Sequence, residues 1–212
     1  MPVIWEEDQE LYRLVTTRNI EQQYDLLRTL VLLGLGLKKF EDNQKGIINT
    51  GTVCDLHRCA TLYLLDTAGE YRKDGVTLRG SPHEPPPYSD ILRYMDEYLN
   101  YIVTNWHKQS PPRLAAYALW RLNWIHPFDN GNGRTARAFS YLILCLKYGL
   151  WLPGKNIIPR QIAKNPKEHI KGLQLADYAY ATSKTIDVSY TEQFIRRLLA
   201  EQVQPLSKRR KR

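Results

Sequence analysis

Between residues 89 and 106, Ile91, Met95, Tyr98, Ile102 and Trp106 follow one another at spacings of four, three, four and four. That recurrence is the apolar stripe of a helix with one face turned to a core. Ser89 and Asp90, after three prolines, mark its start. A second helix opens at Pro111 and Pro112 and carries Leu114, Ala115, Ala118, Leu122 and Ile125. It must stop near His126, because the residue before a proline is driven out of the helical region and Pro127 comes next. A third runs from about Arg134 to Tyr148 and closes at Gly149. Ser189, Tyr190, Thr191 and Glu192 have capping-box spacing ahead of Phe194, Ile195, Leu198 and Leu199, which predicts a last helix from Ser189. At the front, Ile20, Tyr24, Leu27 and Val31 line one face of a helix predicted to begin around Thr17 to Asn19 and to end at Gly34 and Gly36.

One stretch departs from this period. Asp74 and Gly75 offer a hairpin turn between Tyr71-Arg72 and Val76-Thr77-Leu78. The expectation is therefore an all-α helical bundle carrying a short β-hairpin flap. There is no internal repeat, and the only biased run is the proline cluster at Pro85, Pro86 and Pro87.

Composition narrows the class without naming it. A chain of 212 residues, 43% hydrophobic and 25% charged, suits one globular core. It has no run of eighteen apolar residues and no basic-then-apolar leader, so a cytoplasmic protein is expected and no membrane partner. Three scattered cysteines, Cys54, Cys59 and Cys145, make no disulfide framework. The net charge of +8 invites a nucleic-acid reading, but Lys208, Arg209, Arg210, Lys211 and Arg212 hold five of those charges and leave +3 for the rest. That is a basic tail on a balanced domain, expected to be a solvated, disordered end, and nucleic acid is not the expected partner.

Chemistry concentrates in residues 126–137, His-Pro-Phe-Asp-Asn-Gly-Asn-Gly-Arg-Thr-Ala-Arg. Gly131 and Gly133 let a backbone approach a ligand closely, and the start of the next helix turns unpaired N–H groups toward it. Such a start attracts anions. Arg134 and Arg137 are three apart, hence neighbours on one helical face, and two guanidinium forks there can hold separate phosphates. His126 is the one group of the segment that titrates near neutrality, which makes it the natural general base for an attacking hydroxyl. Base, anion cradle and two cations together suit a transferase that uses a nucleotide.

This segment resembles the signature of the Fic family, His-x-Phe-x-acid-Gly-Asn-Gly-Arg-x-x-Arg, and departs from it at one fixed position. The likeness extends to Leu56-His57, to Ala68-Gly69-Glu70-Tyr71-Arg72, to Val76-Thr77-Leu78-Arg79-Gly80 and to His83 before the prolines, over roughly 54–154, with a looser likeness over 158–203. The resemblance implies a Fic-type bundle divided into N-terminal helices (1–52), a core (53–154) with a flap at about 71–83, a C-terminal helical extension (155–204) and the basic tail (205–212). It implies a protein adenylyltransferase that takes AMP from ATP and places it on a Ser, Thr or Tyr hydroxyl of a target protein or of itself, with ATP as substrate and Mg²⁺ as cofactor. His126 would deprotonate the hydroxyl. Gly131, Asn132 and Gly133 would form the anion hole, Arg134 would hold the phosphates, and Arg137 the γ-phosphate. Phe128 would anchor the loop from inside, and Val76, Thr77 and Leu78 would align the target segment along the flap edge. A homo-oligomer is compatible with all of this.

The departure is Asn130, where the family usually places the acidic Mg²⁺ ligand. A neutral amide oxygen holds a hard cation weakly, so the ion would be carried mainly by phosphates and water, and the Mg²⁺ requirement is expected to rise. A second family element, Ser/Thr-x-x-x-Glu followed by Gly or Asn, is similar to Thr17-Arg18-Asn19-Ile20-Glu21-Gln22, with Gln22 in the small residue's place. By that resemblance residues of about 17–34 form an inhibitory helix, and Glu21 pairs with Arg137 and denies it to the γ-phosphate. A plainer reading is a helix capped by Thr17 or Asn19 with Glu21 in its first turn. Two other functions remain open: transfer of a different group (UMP, phosphate or phosphocholine), told apart by which donor is consumed, and a catalytically idle binding module, against which the intact His126, Arg134 and Arg137 speak. Cys54, His57 and Cys59 lie close together, but they lack a fourth ligand and read as part of a core helix with Leu56, Ala60 and Leu64.

Overall fold

A computed structural model of the chain describes residues 9–36, 46–78 and 81–204. Within them lie eight α-helices: α1 Gln9–Gly36, α2 Thr50–Thr61, α3 Ile91–Thr104, α4 Pro111–Ile125, α5 Asn132–Tyr148, α6 Ile158–Lys164, α7 Pro166–Ser183 and α8 Ser189–Val203. A 3₁₀ turn, Tyr88–Asp90, leads into α3. The anticipated stripe on α3 faces inward, with Ile91, Met95, Tyr98, Ile102 and Trp106 all buried.

Helices α4 and α5 form the central pair, and the loop of residues 126–131 that joins them carries the signature. Both are apolar over most of their circumference, as a helix enclosed by others must be. Around them, α1 lies against α2 and α5, α3 against α4, and α8 against α4. The extension formed by α6, α7 and α8 packs onto this body rather than standing apart from it. Ser110 caps α4 by accepting from Arg113 N–H, and Pro111 sits at the first helical position, where its missing N–H costs nothing.

Three expectations change. Helix α1 begins at Gln9, eight or more residues before the predicted start. Asn19 is no cap: it is fully buried in mid-helix and its Nδ2 donates to Leu62 O at 2.7 Å, while Gln23 Nε2, one turn on, donates to Leu56 O at 2.8 Å. These two amides staple α1 along α2, so residues that look like a start signal serve tertiary contacts instead. The second change is at Ser189, which makes no side-chain cap. Glu192, its supposed box partner, accepts from Ser110 Oγ and Arg113 Nη1 and pairs with Arg196, joining α8 to the head of α4.

The third is the flap, which forms no strand among the described residues; Arg79 and Gly80 lie outside them, as does the basic tail. Its first arm is committed elsewhere. Arg72 N–H donates to Pro127 O at 2.9 Å, and the buried Arg72 side chain donates to His126 O, Asp74 O and Pro86 O at 2.8, 2.7 and 2.6 Å. A two-stranded ribbon is marginal by itself, and here the signature loop takes the hydrogen bond that a ladder would need.

Candidate active site

The loop is set by its two ends. His126 is the C-cap of α4, with φ 50° and ψ 57°, left-handed although it carries a side chain. Pro127 excludes the right-handed alternative, and a non-glycine residue held there is strained in the manner of many active-site residues. Gly131, at φ 78°, caps α5 at the other end. A Cβ there would come within 2.6 Å of Thr61 Cγ2 and 3.2 Å of His57 Nε2, so glycine is required for both backbone angle and space.

Between these ends the loop is clamped from beneath. Phe128 is fully buried, and His57 stacks on it with ring centroids 3.7 Å apart and planes 2° from parallel. The His57 ring joins two loops, since Nδ1 accepts from Gly69 N–H at 2.9 Å and Nε2 donates to Asn130 O at 2.8 Å. Only the neutral ring protonated on Nε2 makes both bonds, and burial pushes its pKa down to about 4. Asn132 closes the loop from within: Nδ2 donates to Phe128 O at 2.7 Å and Oδ1 accepts from Phe128 N–H at 3.0 Å. Its side chain is thereby occupied, so any part in an anion hole falls to its backbone N–H. His57, Arg72 and the Asn132 side chain therefore build the site, yet the sequence offered only their place in a resemblance, because their partners lie up to 73 positions away.

His126 Nδ1 lies 3.3 Å from Asn123 O, a carbonyl that can only accept. The proton therefore sits on Nδ1, leaving the Nε2 lone pair for a substrate. Burial lowers the His126 pKa to about 4; the Asn123 carbonyl opposes this, and Arg72 and His83 add to it. The ring is neutral, and so able to accept a proton, across the physiological range.

Helix α5 begins at Asn132 rather than at Arg134, and its first intrahelical bond runs from Thr135 N to Gly131 O. The N–H groups of Asn132, Gly133 and Arg134 are thus those a helix start leaves unpaired. Gly133 is helical, and its missing side chain serves Arg137, whose Nη1 would stand 3.1 Å from a Cβ there. Arg134 Nη1 donates to Ala60 O at 2.8 Å. Burial lowers the pKa of both guanidiniums, and for Arg137 the Tyr24 hydroxyl opposes the shift while Arg134 adds to it.

Cavities lie at the head of α5 and beside His126. One, of about 350 Å³, is lined by Arg134 and Arg137, by Thr17, Glu21 and Tyr24 of α1, and by Arg160 and Lys164 of α6. The structure thus brings Glu21 to the arginines, although no ion pair links it to Arg137. The other, of about 170 Å³, is lined by His126 together with Leu78, His83, Trp120, Trp124, Leu173 and Asp177. Of the three predicted flap residues, Leu78 lines this cavity beside His126; Val76 is half-buried and Thr77 exposed. Asn130 is exposed, its Oδ1 accepting from Gly131 N–H at 2.6 Å, and the Asp129 carboxylate accepts from Thr67 Oγ1.

The model of the Fic/DOC family matches residues 47–144. The match spans the signature loop with α4 and most of α5. A protein adenylyltransferase Fic of Drosophila persimilis is 35% identical over 105 residues, 48% of this chain and 20% of that protein. A Fido domain-containing protein of Dictyostelium discoideum is 38% identical over 90 residues, 42% of this chain and 57% of that protein. The chain therefore spans about a fifth of the length of the first of these relatives. Among solved structures, Caenorhabditis elegans Fic-1 (residues 134–508) superposes with a TM-score of 0.66 at 18% identity, covering 89% of this chain and 49% of that one. A Fic domain-containing signaling protein of Bacteroides thetaiotaomicron gives 0.62 at 17%, covering 92% and 88%. These two likenesses establish the Fic fold beyond the matched segment, into the α6–α8 extension. Among the described residues, no helix is long and apolar enough to cross a membrane.

Proposed function

We propose that this chain is a protein adenylyltransferase that moves AMP from ATP to a hydroxyl of a target protein or of itself, and that α1 restrains it. The observation that carries the reading is the neutral His126 with its free Nε2 lone pair, six residues ahead of a helix start whose arginines line a cavity. The hydroxyl oxygen attacks the α-phosphorus as His126 Nε2 takes its proton. The α–β phosphoanhydride bond breaks, and pyrophosphate leaves with the electron pair. Backbone N–H groups of Asn132 and Gly133 meet the charge that builds on the transferred phosphate. Arg134 and Arg137 hold the trailing phosphates. The aromatic cavity beside His126 brings the nucleoside and the target segment to the same ring.

Asn130 does not fit a protein-held Mg²⁺. Its amide oxygen is turned onto Gly131 N–H, and the neighbouring Asp129 carboxylate has one oxygen engaged by Thr67 Oγ1, so position 130 itself offers no carboxylate. No step is assigned to the ion. Glu21, from the cavity wall, competes with anionic phosphate for Arg137, which is why α1 is read as a brake.

The test is incubation with ATP labelled at the α-phosphate, reading label on protein for wild type, Glu21→Gln and His126→Ala. Label that rises in Glu21→Gln and vanishes in His126→Ala is the expected result. If ATP leaves no label in any of them while labelled UTP or CDP-choline does, the donor is another. No label from any donor leaves a binding module.

A further inference from the structure

The cavity that holds Arg134 and Arg137 also holds two cations that the signature does not contain. Arg160 and Lys164 stand four apart on α6, hence one above the other on one face, and both line the same 350 Å³ space. Four cationic side chains thus meet one carboxylate, that of Glu21. Arg160 is positioned by α1, its guanidinium lying 5.2 Å from the centre of the Tyr24 ring. The Arg137 guanidinium, half-buried, makes no hydrogen bond to protein among the described residues. Cations gathered around a cavity without matching acids repel one another, and an anion of several charges relieves that repulsion.

A triphosphate needs its charge neutralised to bind and, in transfer, again on the departing pyrophosphate. A hard divalent cation commonly supplies this, held by carboxylate. Here the loop offers instead an amide folded onto its own backbone. We infer that Arg160 and Lys164 complete a four-cation polyphosphate site that binds the β- and γ-phosphates of the donor, and the released pyrophosphate, without a divalent ion. The two α6 residues stand in for charge that Asn130 cannot hold in place. This inference rests on the proposed transferase reading for its place in the reaction, but the binding itself can be measured apart from transfer.

The experiment is calorimetric titration of the whole chain with inorganic triphosphate in EDTA, repeated with saturating Mg²⁺, on wild type and on Glu21→Gln. Arg160→Ala/Lys164→Ala is compared with Arg160→Lys/Lys164→Arg, which keeps both charges. The expected result is binding in EDTA, weakened roughly tenfold in the alanine pair and kept in the charge-preserving pair. With Mg²⁺ the alanine pair should lose only about threefold, because the ion has already taken part of the ligand's charge. Binding in EDTA that the alanine pair leaves unchanged would overturn the inference. So would binding by wild type and Glu21→Gln only when Mg²⁺ is present, or no binding in either condition. Triphosphate bound as expected, with no group transferred from any donor, would sink the transferase reading and leave the site standing.

Discussion

His57 lies flat against Phe128 while its two nitrogens hold Gly69 N–H and Asn130 O, so one buried ring fixes the signature loop by packing and by hydrogen bonds together. Removing either ring should loosen the loop without touching a ligand. Phe128→Ala is expected to cost about 3–5 kcal/mol, the range for emptying a buried aromatic site. At roughly 2–4 °C per kcal/mol for a chain of this size, the melting temperature should fall by about 10 °C. A thermal melt that moved by only a degree or two would show that the loop is held by something else.

The two loop glycines should fail differently. Gly131→Ala must accept a positive φ and a Cβ pressed on Thr61, and it is expected to destabilise the fold by about 1–3 kcal/mol. Gly133→Ala is helical and should leave stability nearly unchanged or slightly raised, yet it pushes on Arg137 Nη1 and should weaken triphosphate binding several-fold. Denaturant unfolding and a binding titration on the same two variants separate the cases. Equal losses of stability would argue against this division of labour.

How much of this could be read in advance depended on where each residue's partner lay. The faces of α3 and α4 were legible because burial repeats along one helix, and residues 126–137 because base, glycines and arginines sit within twelve positions. Asn19 and Glu192 misled for the opposite reason. Each matches a local start signal, yet one bonds Leu62 and the other joins Ser110 and Arg113 across 82 and 79 positions. The flap failed as a hairpin because Arg72 answers to Pro127 and His126, which a turn signal at Asp74-Gly75 cannot reveal. Arg160 and Lys164 belong to no motif, and only the fold, by bringing α6 beside Arg137, shows what they face.

Asn130→Asp should sharpen the response to Mg²⁺. A carboxylate at this place is a far better ligand for a hard cation than an amide, so half-maximal labelling should be reached at a Mg²⁺ concentration lower by roughly tenfold. An unchanged Mg²⁺ dependence would mean that position 130 stays folded onto Gly131 N–H and takes no part in holding the ion.

Stability should fall on mild acidification. Burial lowers the pKa of His57, His126 and His169 to about 4 in the folded chain, against about 6.5 when unfolded. As pH drops below 6.5 the unfolded chain takes up protons that these rings in the fold refuse. The loss therefore begins near pH 6.5 and continues until the folded rings themselves protonate near pH 4. Each ring contributes about 1.4 kcal/mol per pH unit inside that window, so at pH 5 the three together should remove several kcal/mol relative to pH 7. Denaturant unfolding at pH 7, 6 and 5 measures the slope. His169→Phe, which removes a ring whose Nδ1 is buried without a partner, should flatten the slope by about a third while leaving the His57 clamp and the His126 base in place. A stability that held level from pH 7 to pH 5 would mean that the rings open to water in the folded chain and titrate there much as they do unfolded.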